Sequence, residues 1–401
     1  MAGDVDILQL HRGDLHPPSN GEEVRIWETA KKLAEFGSVA LVHPDDADVD
    51  HPGVRAVDTD NPFLDRKLTR IYAWYASFAA DADNRYDRFQ AERTVRRCER
   101  LDREFDVICC ENPQMLRAGV RLADRYDARL LLNKHNAMYD LVDQQLGLRP
   151  IPGVVRRRAV ENLRRFEQWG IDAADAVVFQ SPDDAEGFRL PDDTVVKTIP
   201  NGTDFETIDA GGDPDRIRKQ FRIPDDATVC LFVGAFDYDP NEVAGDVVRD
   251  ELAPALPDVE FLLVGRDPPD AARDNVHAPG YVEDLAGALA AADVAICPLT
   301  LGSGTKLKML DYLAAGLPVV TTDVGAQGLP LTDGETALIR DSWDEFADAI
   351  ETLAESNELR ESLSSNGREL GRQYSWDSLF EAYDPVLDEL LDRPPVRVRG
   401  E

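Results

Sequence analysis

Residues Leu301–Val320 read L-G-S-G-T-K-L-K-M-L-D-Y-L-A-A-G-L-P-V-V, which is a glycine-rich loop, a helix and a strand in succession. Free backbone N–H groups and the positive dipole at the start of a helix attract an anion. Lys306 and Lys308 fall in the predicted first turn, where a lysine opposes the helix dipole. The chain has only eight lysines, so two in one such turn indicate a bound phosphate rather than a solvated helix face.

Asp311 follows Lys308 by three residues and therefore shares its face of the predicted helix. The sequence leaves two interpretations of this carboxylate open. It accepts hydrogen bonds from the paired hydroxyls of a ribose, or it forms a surface ion pair with Lys308.

Apolar strand-like runs alternate with helix-like stretches along the chain, which predicts an α/β protein with parallel sheets. The first half offers strands at Val5–Leu10, Ser38–Val42, Val107–Cys110, Arg129–Asn133, Ala176–Gln180 and Val195–Ile199. The second half offers strands at Val229–Gly234, Glu260–Gly265, Val294–Cys297, Pro318–Thr322 and Ala337–Ile339. Amphipathic helices are predicted at Glu22–Phe36, Phe63–Leu101, Pro152–Gly170 and Ser375–Leu391. The turn-rich segment Thr198–Asp204 predicts a domain boundary, with domains at 1–197 and 198–373, a C-terminal helix at 374–392 and a tail at 393–401.

The chain carries 77 acidic and 44 basic residues, and its net charge of −33 is spread over the whole length. Such a charge repels nucleic acid, which we exclude as a partner. Spread acidity with scarce lysine is typical of a protein adapted to high salt. At 1 M salt the Debye length is about 3 Å, so the self-repulsion of the chain is screened. We therefore predict a halophilic, acidic protein.

The cysteines and the N-terminus indicate in which cellular compartment the protein is expected to reside. No two of the five cysteines form a Cys-x-x-Cys pair, and most fall in or beside apolar strand-like runs, which fits a reducing environment. The N-terminal residues lack the basic region and apolar core of a signal peptide. No stretch approaches the roughly 18 apolar residues of a membrane span. These features predict a cytoplasmic protein.

Several segments, taken in order, resemble the retaining glycosyltransferases of family 4, which have the GT-B fold. They are Trp27–Phe36, Leu163–Asp184, Ile199–Asp204, Leu231–Asn241, Gly304–Thr322 and Tyr374–Trp376. The most specific is G-T-K-L-K-M-L-D-Y-L-A-A-G-L-P-V-V-T-T at Gly304–Thr322. The resemblance covers nearly the whole chain. It implies two Rossmann-like domains facing across a cleft, with the acceptor site in the first, the donor site in the second and a C-terminal helix that crosses back to the first.

The resemblance also implies which residues bind the donor, a nucleotide-diphosphate sugar. They are Asn20, Gly21, Arg25, Gly234, Asn241, Tyr281, Val282, Gly302, Ser303, Gly304, Thr305 and Asp311. Within this set, Asp311 stands where the family usually has a glutamate for the ribose. Tyr281 and Val282 flank the base, and Asn20 and Gly21 belong to a loop that faces the phosphates.

Transfer of the sugar places negative charge on the leaving diphosphate, and preorganised positive charge meets that demand. The resemblance makes His135, Lys306 and Lys308 the catalytic residues, with His135 near the reacting sugar. No Asp-x-Asp motif occupies the expected metal position, so we predict no metal and no cofactor. The family implies retention of anomeric configuration and a glycan or lipid-linked acceptor.

An arginine-rich segment, Arg156–Arg165, has two interpretations. It contacts a lipid phosphate at the inner face of a membrane, or it is a solvated helix face paired with nearby acids.

Two departures from the family pattern leave other functions open. Ser303 replaces the first glutamate of a Glu-x7-Glu pattern, and Ala235 and Phe236 stand where an arginine and a lysine are common. The alternatives are a non-catalytic GT-B binding or scaffold protein and a GT-B sugar-nucleotide epimerase. A Rossmann dehydrogenase is disfavoured, because no Gly-x-Gly-x-x-Gly follows the first strand.

Overall fold

A computed structural model describes residues 5–11, 18, 21–43, 49, 51–58, 85–111, 113–147, 151–271, 273–302 and 304–394. The chain divides into two compact units, and each is described by itself. Unit 1 contains the described residues of 1–18, 22–199 and 380–401. Unit 2 contains those of 19–21 and 200–379.

Unit 1 is built on a parallel sheet. Its strands are β1 Val5–Leu10, β2 Gly37–His43, β3 Val54–Asp58, β4 Val107–Cys110, β5 Arg129–Lys134, β6 Ala176–Phe179 and β7 Val195–Thr198. They are ordered β3-β2-β1-β4-β5-β6-β7. The helices are α1 Gly21–Leu33, α2 Arg85–Cys98, α3 Leu116–Tyr126, α4 Met138–Gly147, α5 Gly153–Ala173 and α6 Pro182–Glu186.

The local sequence explains how α1 forms. Glu22 and Glu23 lie in its first turn and Lys31 and Lys32 in its last, so charge complements the helix dipole at both ends. The apolar residues of this helix are buried at helical spacing. This face anchors α1 to the core, and the polar residues Arg25 and Thr29 are buried with it.

Unit 2 contains a second parallel sheet. Its strands are β8 Thr228–Val233, β9 Val259–Val264, β10 Val276–Gly280, β11 Val294–Cys297, β12 Val319–Thr321 and β13 Leu338–Ile339, in the order β10-β9-β8-β11-β12-β13. The helices are α7 Phe205–Asp209, α8 Pro214–Phe221, α9 Asp239–Val247, α10 Ala253–Ala255, α11 Leu285–Ala290, α12 Leu307–Ala314, α13 Asp323–Ala326, α14 Trp343–Glu355, α15 Asn357–Arg372 and α16 Trp376–Phe380. The central strands are almost wholly apolar and buried on both faces, as parallel sheets require.

The structure confirms the predicted α/β class and every predicted strand to within about two residues. Two further strands, β3 and β10, were absent from the prediction. Both lie at a sheet edge, where only one neighbour supports the strand. Their sequences, V-R-A-V-D and V-H-A-P-G, lack the continuous apolar run of a buried strand.

The C-terminal helix differs from the prediction. Ser375–Leu391 was expected to be one helix, but α16 ends at Phe380 and a further helix, α17, spans Tyr383–Asp392. Pro385 explains the break, because it has no N–H to donate to the carbonyl of Glu381, and it therefore fits the first turn of a new helix but not the interior of a single one.

Helix α17 is tied to unit 1 by hydrogen bonds and an ion pair. Lys32 Nζ lies 2.7 Å from a carboxylate oxygen of Asp384, and Arg129 Nη2 donates to the carbonyl of Leu391 at 3.0 Å. Within the described residues, no helix is long and apolar enough to cross a membrane. Of the predicted helix Phe63–Leu101, residues 63–84 lie outside the described part of the chain, and α2 begins at Arg85.

Candidate functional site

The sheet of unit 2 has a topological switch point. Strand order runs outward in opposite directions from β8 and β11, so the crossover connections diverge there and leave a crevice at the carboxyl ends of these two strands. Gly234 follows β8 directly, and the segment after β11 leads through Gly302–Thr305 to α12. Two of the sequence-predicted elements are thus brought to one edge of the sheet.

The loop before α12 depends on glycine. Gly302 and Gly304 have φ angles of 125° and 68°, which side chains rarely adopt. Ser303, predicted as a donor contact, lies outside the described residues. The helix itself begins at Leu307, so the prediction that Lys306 falls in the first turn was wrong. Lys306 is the N-cap residue in extended backbone, and Lys308 alone is in the first turn.

The ammonium group of Lys308 lies in a specific environment. Its Nζ donates to Oδ1 of Asn241 at 2.6 Å and lies 4.1 Å from the centre of the Phe232 ring. Burial lowers the pKa of Lys308 to about 8 and has the same effect on Lys306. The Nζ of Lys306 donates to the carbonyl of Gly304 at 2.7 Å. No carboxylate among the described residues pairs with either lysine, so their charge is available to an anion.

Two glycines make room at the end of β8. A Cβ at Gly234 would lie 2.9 Å from Cγ of Asn241 and 3.0 Å from Nζ of Lys308. A Cβ at Gly265 would lie 1.8 Å from the carbonyl oxygen of Gly234. The close approach of these backbones therefore excludes any larger residue, and Asn241 is held by a 2.9 Å bond from its Nδ2 to Ala235.

Asp311 is placed one turn after Lys308 but does not pair with it. Its Oδ1 accepts a 2.7 Å hydrogen bond from Thr203 Oγ1. Burial raises the pKa of Asp311 to about 6, a value that the bond from Thr203 keeps from rising further. Of the two interpretations, the ion pair with Lys308 is wrong, and the second carboxylate oxygen has no hydrogen-bond partner within the described part of the chain.

The remaining predicted donor residues are placed as follows. Tyr281 follows β10 with 59% of its surface exposed, and Val282 packs in part against the core of unit 2. Thr305 Oγ1 donates to the carbonyl of Gly328. Gly21 is the first residue of α1, and Asn20 lies outside the described residues.

Unit 1 gathers polar side chains at the carboxyl ends of three adjacent strands. His11 follows β1, Glu111 follows β4 and His135 follows β5, and all three are buried. Oε2 of Glu111 lies 3.0 Å from Nε2 of His135, while Oε1 accepts from Gln9 at 2.5 Å and from Asn133 at 3.1 Å. Burial alone would raise the pKa of Glu111, but the hydrogen bonds, led by that of His135, lower it below its ordinary value.

The carboxylate of Glu111 fixes the proton of His135. An ionised carboxylate only accepts, so Nε2 carries the hydrogen and Nδ1 of a neutral ring presents its lone pair. This Nδ1 is buried and has no hydrogen-bond partner among the residues that the structure describes. Lys134, which precedes His135, is not available to a ligand, because Glu167 accepts from its Nζ and the Phe188 ring lies 4.5 Å away.

Arg25, predicted as a donor contact, is buried in the structure. Its side chain is fully enclosed, with 2% exposure. Its Nη2 donates to the carbonyl of Ile199 at 2.7 Å, and its guanidinium lies 5.7 Å from the Phe380 ring. In the described structure these contacts hold together elements of unit 1.

The arginine-rich segment lies on α5, and its arginines differ in whether they form ion pairs. Arg156 forms a two-bond ion pair with Asp143, and Arg165 pairs with Glu161 at 2.9 Å. Arg157 and Arg158 are exposed and have no ion pair within the described part of the chain. Val154 and Val155, at the start of the same helix, are exposed by 68% and 38%.

Sequence reasoning missed Glu111, Gln9 and Asn133. Glu111 carried a signal, because an acid directly after the buried run V-I-C-C occupies a strand end, as His135 does. Gln9 and Asn133 carried none, since both are internal to strands and become polar partners only through the fold.

Known proteins resemble this chain in sequence and in structure. Residues 20–202 match a family model described as a glycosyl transferase 4-like domain, and residues 227–356 match one described as glycosyl transferases group 1. A phosphatidyl-myo-inositol mannosyltransferase of Mycobacterium leprae is 31% identical over 144 residues, which cover 32% of this chain and 38% of that protein. The matched segment thus spans well under half of that relative's length.

Two solved structures share the fold across nearly the whole chain. Sucrose-phosphate synthase from Thermosynechococcus elongatus superposes with a TM-score of 0.72 at 20% identity, covering 96% of this chain and 98% of the other. The Anabaena protein HepE, solved in complex with UDP-glucose, superposes with a TM-score of 0.65 at 16% identity, covering 96% and 99%.

The two domains and their sheets define a protein of the GT-B class. The two family models together account for most of the sequence, and the chain belongs to the glycosyltransferases that they describe, with a 4-like domain at 20–202 and a group 1 domain at 227–356.

Proposed function

We propose that this protein is a retaining glycosyltransferase that moves a sugar from a nucleotide-diphosphate donor to a glycan or lipid-linked acceptor. The observation that carries the proposal is the pair Lys306 and Lys308. Both ammonium groups lie at the start of α12, beside the switch point of unit 2, and neither is neutralised by a described carboxylate. The family membership of the chain and the UDP-glucose complex of its structural neighbour HepE support this reading.

The two lysines suit the leaving diphosphate. Negative charge grows there as the sugar departs, and a positive group that is already in place stabilises it without reorganisation. Lys308 is held by Asn241 and the Phe232 ring, so its position is fixed before the donor arrives. The proposed donor set also includes Asp311, whose free carboxylate oxygen would accept from the ribose hydroxyls.

His135 is proposed to contact a hydroxyl of the substrate. Its Nδ1 lone pair accepts a hydrogen bond, and Glu111 holds the ring in the tautomer that allows this. Retention of configuration is part of the proposal, and NMR of the product's anomeric proton tests it.

We further propose that transfer needs neither a metal nor a cofactor. The charge that a divalent cation supplies to a diphosphate would come from Lys306, Lys308 and the N-terminus of α12. Turnover should therefore persist in excess EDTA and should not rise with added Mn²⁺ or Mg²⁺. Loss of turnover in EDTA that Mg²⁺ restores would contradict this part of the proposal.

Contact with a membrane is proposed at the start of α5. Val154 and Val155 are exposed, and the nearby Arg157 and Arg158 form no ion pair with a described residue. Exposed apolar side chains next to positive charge suit an anionic lipid surface. Location at the cytoplasmic face of that membrane is consistent with five cysteines that are free and buried. Co-sedimentation with anionic vesicles should fall on Val154→Ser/Val155→Ser substitution, whereas Val196→Ser, at another exposed valine, should have no effect.

The experiment for the function itself is a donor screen with product detection. The protein is incubated in molar KCl with UDP- and GDP-sugars and a panel of glycan and lipid acceptors, and release of nucleoside diphosphate is followed. Acceptor-dependent release with one donor, lost in Lys308→Ala, is expected. Binding of a nucleotide without release for any acceptor would favour the scaffold protein, and interconversion of the donor sugar would favour the epimerase.

A further inference from the structure

A second concave site lies in unit 1, beside the edge strand β3. It encloses about 420 Å³. Its lining combines apolar residues of β2, β3 and the turn after α2 with four arginines, and these are Ala40, Ala56, Val57, Leu101, Arg55, Arg97, Arg100 and Arg103. None of the described lining residues is acidic.

This pocket is separate from the strand-end cluster of Glu111 and His135. Arg103 donates to Asp6 and to Ser38, which lie near the amino ends of β1 and β2. Glu111 and His135 follow the carboxyl ends of their strands. Strands β3 and β4 are three positions apart in the sheet, and neighbouring strands are spaced about 4.8 Å, so the pocket lies about 14 Å from Glu111 across the sheet.

The concentration of arginine here needs an explanation, because the chain carries 77 acids against 44 basic residues. Four guanidinium groups that face one cavity repel one another unless an anion offsets them. Asp6 neutralises Arg103, and Arg97 has a partner of its own. Arg55 and Arg100 are exposed and form no hydrogen bond or ion pair with any described residue. Among the described residues, no group therefore neutralises the positive charges of Arg55 and Arg100 at the mouth of the pocket.

The shape and chemistry of the lining restrict the ligand. A guanidinium presents parallel N–H groups that match the oxygens of a phosphate in a two-bond contact. A volume of about 420 Å³ admits a molecule of the size of a sugar phosphate. The alanine, valine and leucine side chains between the arginines suit the carbon skeleton of such a molecule. None of the large exposed hydrophobic side chains that the structure describes lies in this pocket, and these residues therefore do not offer the apolar contact of a lipid-docking surface.

We propose that this pocket binds a small phosphorylated molecule with two or more negative charges, at a site separate from the donor site of unit 2. Arg55 and Arg100 are its principal ligands. Such a site would let a phosphorylated metabolite affect the protein without competing for the donor site. The proposal does not depend on the transfer reaction, and binding is its direct readout.

The test is calorimetric titration with inorganic pyrophosphate and with glucose 6-phosphate. A Lys308→Ala background removes the donor-phosphate contact, so that any remaining saturable binding reports on the second site. Arg55→Gln/Arg100→Gln should weaken this binding at least tenfold. Arg189→Gln/Arg222→Gln, which removes two exposed arginines that lie outside the pocket, should leave it unchanged.

Two further arms make the result decisive. Arg55→Lys/Arg100→Lys keeps the charge and the fold but loses the paired N–H groups, and it should bind with intermediate affinity. Anionic phospholipid vesicles should show no dependence on Arg55 and Arg100. Equal affinity in the wild type and the Gln variant, an absence of saturable binding, or a dependence seen only with vesicles would each overturn the proposal.

Discussion

The hydroxyl of Tyr383 donates a 3.0 Å hydrogen bond to Oδ1 of Asn133, and this bond joins the C-terminal helix to the strand that ends before His135. Nδ2 of the same asparagine donates to Glu111, which contacts His135. Burial raises the pKa of Tyr383, so the phenol stays protonated and remains a donor. The last helix therefore takes part in a buried network that ends at a predicted catalytic side chain.

Replacement of Tyr383 by phenylalanine should disturb this network. Oδ1 of Asn133 loses its donor in a buried place, which should lower the free energy of unfolding by about 1–3 kcal/mol. If Asn133 also positions Glu111, kcat should fall severalfold with little change in the KM of the donor. Urea unfolding and steady-state kinetics measure the two effects. Tyr126→Phe, which loses a 3.4 Å bond near the surface, is the control and should be nearly neutral.

The pH dependence of donor binding should follow the lysines. Burial lowers the pKa of Lys306 and Lys308 to about 8, so both are charged at pH 7 and neutral at pH 9.5. Affinity for the nucleoside diphosphate should be constant below pH 7.5 and should fall by up to tenfold per pH unit for each lysine above pH 8. Titration calorimetry from pH 7 to pH 9.5 measures this. An affinity that does not change across that range would contradict the assignment.

Asp311→Asn should separate stability from binding. Burial raises the pKa of this carboxyl to about 6, so the folded state holds the proton more tightly than the unfolded state does. The stabilisation is fully present below about pH 4 and is lost as the pH rises through 6, which leaves a charged, partly buried group at pH 7.

The amide keeps the acceptor for Thr203 without that charge. Allowing for partial exposure of the side chain, we expect a gain of about 1 kcal/mol at pH 7 and weaker donor binding. Asp209, whose pKa is lowered by its hydrogen bond from Arg368, is the opposite case, and Asp209→Asn should lower the melting temperature at pH 7. Unfolding curves at pH 4 and pH 7 distinguish the two variants.

The net charge of −33 predicts a dependence of stability on salt. Self-repulsion opposes the compact state in dilute buffer and is screened over about 3 Å at 1 M salt. The melting temperature should therefore rise between 0.1 M and 2 M KCl. A melting temperature that stays flat or falls would remove the case for adaptation to high salt.

The sequence was enough to predict the core strands and the lysine-bearing helix, because both depend on local patterns. Apolar runs bounded by turns indicated the buried strands, and a lysine at a helix start indicated an anion. The edge strands β3 and β10 were beyond this approach, because polar residues and, in β10, a proline interrupt their apolar runs, whereas the edge strands β7 and β13 keep adjacent apolar residues.

The polar network of unit 1 was not predictable for a different reason. Gln9 lies 102 residues from Glu111, and Asn133 lies 250 residues from Tyr383. No periodicity within a window links residues at such separations. The burial of Arg25 was likewise not predictable, because its contact with the Phe380 ring joins residues that are far apart in the sequence.

The central claim is that Lys308 binds the diphosphate of a nucleotide donor, and thermal shift in molar KCl tests it most directly. Wild type, Lys308→Ala and Lys219→Ala, which alters an exposed lysine of α8 in the same unit, are melted with UDP, GDP and their sugars. We expect a rise of several degrees with one nucleotide in the wild type and in Lys219→Ala, and none in Lys308→Ala. Because burial lowers the pKa of Lys308, its charge is a cost to the folded state at pH 7, and Lys308→Ala without ligand should melt no lower than the wild type. An equal shift in Lys308→Ala, or no shift with any nucleotide, would contradict the claim.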